Sequence, residues 1–173
     1  MKRKITLFIL ILLGFLLQTT VFKVLINLTC VPNILLILTS CFGFMRGKKE
    51  GLMIGFFSGF LIDIMYGGGF LGLYALIYML IGYLNGMFHR IFYPEDVKLP
   101  IFFVSISDMA YCLVVYVLLF LLRSRMAFAE YLKGIILPEI VSTIVTTIII
   151  YRLILMINIW LEKDEKDKEA KFA

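Results

Sequence analysis

From residue 5 to residue 22 the chain carries no charge, and comparable apolar runs recur as far as residue 161, with charges gathered in short clusters between them. No single motif constrains the fold as strongly as this pattern. About 20 residues of helix, at 1.5 Å rise each, cover a hydrocarbon core of about 30 Å. Composition agrees: of 173 residues, 62% are hydrophobic and 17% charged, against roughly 45–50% and 25% in a soluble domain. The expectation is an all-α integral membrane protein, with residues 1–161 as one transmembrane domain and 162–173 as a charged cytoplasmic tail.

Six transmembrane helices are expected, at about 5–22, 32–45, 52–66, 73–88, 99–122 and 134–161. The first follows Lys2, Arg3 and Lys4 as a signal peptide would, but it ends in Gln18, Thr19 and Thr20 without a small-residue cleavage site, so it reads as a retained span. The clusters RGKKEG (46–51) and HRIFYPEDVK (89–98) are expected in water. Spans two and three come to only about 22 Å each. Folding them as a re-entrant hairpin would carry Arg46, Lys48 and Lys49 to mid-membrane, at about 2.5–3.5 kcal/mol each. Two short spans with local thinning cost less.

Placing the N-terminus inside leaves only Lys23, Arg123, Arg125 and Lys133 outside, out of 17 basic residues. The positive-inside rule therefore selects N-in and C-in. The net charge of +5 is then a bias toward anionic lipid and no sign of nucleic-acid binding. In the tail, Glu162 and Lys166, Asp164 and Lys168, and Asp167 and Lys171 stand four apart with the acid first, which favours a helical extension of span six. Such a tail is either a solvated surface or a docking surface for a cytoplasmic partner.

Gly51, Gly55 and Gly59 recur every four residues, and Asp63 continues the series. Each step advances about 400°, so the stripe holds to one broad face. Small faces of this kind let helix backbones approach in lipid. The stripe is expected to pack helices within the chain, or to seat a partner's helix. Gly82 and Gly86, with Asn85 beside them, form a second unit placed to face the first.

Asp63, Asp108 and Glu139 all fall inside expected spans, where ionisable residues are functional candidates. Asp63 and Glu139 lie near the outer ends of theirs. Asp108 and Arg152 lie at similar depths, counted from the inner ends, and are expected to pair as a lock between the last two helices. Gly67, Gly68 and Gly69 read as a tight external turn, which Asp63 is placed to cap by accepting backbone N–H bonds. No catalytic, cofactor or metal site is expected. The single histidine, His89, lies in a loop, no span carries a nucleophile–base or HExxH arrangement, and Cys30, Cys41 and Cys112 lie far apart.

The segment PNILLILTSCFGFMRGKKEGLMIGFFSGFLIDIMYGGGFLGLYALIYMLIGYLNG, residues 32–86, resembles the core of the rod shape-determining MreD family. The resemblance rests on Pro32 and Asn33; on Arg46, Gly47, Glu50 and Gly51; on Gly55, Gly59 and Asp63; on the glycine turn; and on Leu71 to Tyr78 followed by Gly82, Tyr83 and Gly86. Leu137, Pro138 and Glu139 resemble the opening of the family's last span. The glycine triplet departs from the Ser or Pro more usual there. The resemblance implies a multi-pass protein of the bacterial cell membrane, a non-enzymatic scaffold of the cell-wall elongation machinery. Its implied partners are an MreC-like membrane protein and, alongside it, MreB, RodA and a penicillin-binding transpeptidase. The implied six-helix fold is similar to the substrate-binding components of energy-coupling-factor vitamin transporters, which supplies the alternative function.

Overall fold

The structure, a computed structural model, describes residues 2–25, 31–66, 72–91, 97–120 and 128–172, nearly all of them helical. Helix α1 (Lys2–Leu16) continues as a wider π-type segment (Leu17–Leu25); α2 (Ile34–Arg46), α3 (Lys48–Tyr66) and α4 (Leu73–Met87) follow, α4 closing in a 3-10 turn (Phe88–Ile91). Helix α5 (Lys98–Val115) runs into a π-type segment (Tyr116–Phe120), and the short α6 (Phe128–Tyr131) leads through another (Leu132–Ile136) into α7 (Leu137–Phe172). Among the described residues, Arg3–Phe22, Lys98–Leu118 and Ala129–Asp164 are each long and apolar enough to cross a membrane, and Ile34–Arg46 is a shorter apolar helix. Large apolar side chains cover the outside: Leu76, Leu80 and Leu84 on α4, and Val141, Val145, Ile148 and Ile149 on α7, are all exposed. In water such stripes are an aggregation hazard; in a bilayer they meet solvent of their own kind.

The aqueous loop expected at 46–51 is instead a single residue. Gly47, with φ of 94°, separates α2 from α3, and Lys48, Lys49 and Glu50 form the first turn of α3. Helix α3 thus has 19 residues, about 28 Å, so the third run is not the short one. Helix α2 is: its 13 residues reach about 20 Å.

Helix α2 tolerates that length because protein rather than lipid surrounds it. Every residue from Ile34 to Met45 is buried, as befits a helix apolar on all sides, and α1, α3, α4, α5 and α7 all touch it. The free N–H and C=O groups of its terminal turns call for partners. Side chains from elsewhere supply them. Asn33 N donates to Thr143 Oγ1 of α7 at 3.3 Å, Leu35 N to Gln18 Oε1 at 3.3 Å, and Leu36 N to Asn33 Oδ1 at 3.3 Å. Ile34 N donates to Pro32 O at 3.0 Å and Ile37 N to Asn33 O at 3.0 Å, so the first turn is fully accounted for. At the other end Gly47 N donates to Gly43 O at 2.8 Å, and His89 Nδ1 lies 3.1 Å from Phe44 O.

Candidate functional site

Polar groups inside this bundle gather in three places. The first is the seam between α3 and α4. A Cβ added at Gly51 would fall on the Gly82 carbonyl oxygen, at Gly55 on Tyr78 O, at Gly59 on Tyr74 O, and at Gly86 against Gly47 and Lys48 backbone. Gly82 and Gly51 are reciprocal, each meeting the other's carbonyl. Backbone against backbone leaves no room for side chains, which is how a small-residue face works in lipid. Both glycine units therefore fill each other. The alternative in which this stripe seats another protein's helix does not fit, because the face is already occupied from within the chain. Asn85, on the same side of α4, donates to Ser107 Oγ of α5 at 2.8 Å and to Ser40 Oγ of α2 at 3.3 Å.

Asp63 closes this seam. Its carboxylate is 2% exposed, and its two oxygens accept from Tyr74 N at 3.1 Å and Ala75 N at 2.8 Å. These are free N–H groups of the first turn of α4, whose own N-cap is Gly72, with φ of 100° and no side chain to offer. An acid on α3 thus caps the neighbouring helix, aided by that helix's positive end. Gly67, Gly68 and Gly69 lie outside the described residues.

The second place is at the inside of α5 and α7. Asp108, Cys112 and Glu139 each bring one donor atom within 4.8 Å of the others. Asp108 and Cys112, four residues apart, share a face of α5. Asp108 is fully buried, and neither carboxylate oxygen has a hydrogen-bond partner among the described residues. The expected Asp108–Arg152 lock does not form: Arg152 is exposed while Asp108 faces Glu139. The helix boundaries differ from the boundaries of the apolar runs. Helix α6 spans Phe128–Tyr131, ahead of the expected start at 134, so Glu139 lies several residues deeper and beside Asp108. Just beyond, Tyr78 of α4 donates to Asn33 Oδ1 at 2.6 Å and packs edge-on against Tyr111 of α5, ring centroids 5.5 Å apart.

The third place lies at the end carrying the basic residues, where Arg46 and Glu50 belong to the residues that carry the resemblance and Asn158 does not. Arg46, its side chain only 6% exposed, donates through Nε to Asn158 Oδ1 of α7 and through a terminal nitrogen to Asn158 O at 3.3 Å. Asn158 Nδ2 in turn donates to Glu162 Oε1 at 3.0 Å. Glu50 pairs with Arg3 of α1 at 2.7 Å. One chain of contacts thus joins α1, α2, α3 and α7. An asparagine in an apolar helix opposite an arginine elsewhere was the available signal.

These contacts organise the bundle by tying its helices to one another. A cavity of about 290 Å³ near Gln18, Tyr74 and Tyr111 falls at the bottom of the range of ligand pockets, about 300–1,000 Å³. It gives the vitamin-binding alternative no support.

Comparison with curated proteins and with solved structures finds no match. The family model for the rod shape-determining protein MreD matches residues 1–163, which take in every helix of the bundle up to the charged tail. The chain belongs to the MreD family of rod shape-determining membrane proteins.

Proposed function

We propose that this protein is a non-enzymatic membrane scaffold of the cell-wall elongation machinery, binding an MreC-like membrane partner and so helping to hold rod shape. It crosses the cell membrane six times with both ends in the cytoplasm. The observation that carries the reading is the family match across 1–163. The interior supports it: Asp63, Asn33, Gln18, Asn85 and Arg46 are all engaged in tying helices together, as a rigid binding platform requires. The topology is supported by the basic end, where Arg3, Arg46 and Glu50 meet, matching the charge-rich side that the positive-inside rule puts in the cytoplasm. With the stripe of Gly51, Gly55 and Gly59 closed by α4, the partner surface lies on another face of the bundle.

Co-expression with an MreC-like protein and pull-down in mild detergent tests the reading. A stable complex is expected. Recovery of both proteins, each well folded and neither carrying the other, sinks it. Reporter fusions at the two termini and at residues 67–69 test the topology, with cytoplasmic signals expected from the former and an external signal from the latter.

A further inference from the structure

Helix α1 stands partly away from the bundle, and between it and α3 lies the larger of the cavities described, about 590 Å³. Its floor is Ile11 and Ile54, each 3% exposed. Its sides are Met53 and the rings of Phe8 and Phe57, which meet edge to face with centroids 6.4 Å apart. At the mouth stand Arg3, Lys4, Lys49 and Glu50. Arg3 and Glu50 neutralise one another at 2.7 Å. Lys4 and Lys49 are both exposed and have no ion-pair partner among the described residues.

We infer that this groove is a binding site for one acidic phospholipid, an acyl chain lying over Ile11 and Ile54 and the headgroup phosphate held between Lys4 and Lys49. Two separate features of the cavity select this occupant. Its walls are apolar, so water has no partners there, while leaving such a volume empty forfeits the dispersion contacts of its whole lining. The groove opens to the bilayer, whose chains are the apolar filler at hand. The mouth then discriminates among lipids. With Arg3 and Glu50 offsetting each other, two ammonium groups remain to attract a phosphate whose headgroup brings no cation of its own. Basic pockets between helices on the cytoplasmic side hold anionic headgroups by this arithmetic. The site requires only that the chain sits in a membrane; the leaflet follows from the orientation proposed above.

The test uses the full chain in nanodiscs of mixed phosphatidylglycerol and phosphatidylcholine, released into the gas phase for native mass spectrometry. One phosphatidylglycerol should stay bound in preference to phosphatidylcholine by about thirtyfold at low salt, as two surface cations predict. The double variant Lys4→Gln/Lys49→Gln leaves the Arg3–Glu50 pair intact and should abolish the preference while keeping the chain monodisperse. Met53→Trp fills the groove and should lower occupancy by either lipid. Equal retention of the two lipids by the unaltered protein overturns the inference, as does a preference that survives loss of both lysines, or a bound peptide mass in place of lipid. If Met53→Trp does not fold, the lysine pair alone decides.

Discussion

Two acids stand in apolar helices of this bundle and are treated in opposite ways. Asp63, between α3 and α4, has both oxygens bonded to backbone N–H groups. Asp108, between α5 and α7, is buried as completely but has neither oxygen bonded among the described residues, and its near neighbours are another carboxyl and a thiol. The difference follows the helices. Where α3 meets α4, glycines bring two backbones into contact and align one helix's terminus with the other's side chain. Where α5 meets α7, larger side chains such as Tyr111 and Ile140 intervene. A buried acid is therefore no single kind of feature: one completes the hydrogen bonding of a helix end, and the other meets no hydrogen-bond donor among the described residues.

Substitutions along the tight seam should have the largest effects. Gly82→Leu or Gly51→Leu sets a side chain onto a carbonyl oxygen, and no monodisperse protein should survive size exclusion in detergent; recovery at normal yield would break the account of that seam. Asn158→Ala removes the partner of a nearly buried guanidinium, with an expected loss of about 1.5–3 kcal/mol, read as a lowered thermal midpoint. Asp63→Asn leaves one free N–H of α4 unsatisfied and should lose about 1–2 kcal/mol. Asp108→Asn removes an unpartnered carboxylate and should be neutral or stabilising, the opposite sign from Asp63→Asn in the same assay. If both asparagine variants lose stability equally, the contrast between the two acids disappears. Arg152→Gln, at an exposed position, should change stability by no more than about 0.5 kcal/mol.

Much of the tight seam is legible in the residues alone. Four-residue spacing marks Gly51, Gly55 and Gly59 as one face whatever the helix does elsewhere, and Gly82 and Gly86 repeat the device on the helix that follows. A short acid next to the end of a run also points to a backbone cap, and among the described residues the recipient is the first turn of α4. Other features depend on how far each helix is rotated and how deep it sits. Helix α2 is apolar on every side, so nothing in its pattern separates a helix facing lipid from one wholly enclosed. The pairing of Asp108 with Glu139 depends on where α5 ends and the α6–α7 stretch begins, and apolar content does not mark those points. Gln18, Thr143 and Asn158 are uncharged polar residues in apolar runs, and their roles appear only once the ends of α2 are set beside them.

Helix α7 runs unbroken for 36 residues, about 54 Å against a hydrocarbon core of about 30 Å. Its contact with α2 at the end carrying the basic residues is the bond from Arg46 to Asn158. The 14 residues beyond Asn158, as far as Phe172, about 21 Å, turn a tilt of about 10° into a sweep of about 4 Å at the far end. A small tilt of the helix at that contact therefore appears at its charged end as a displacement on the scale of a side chain.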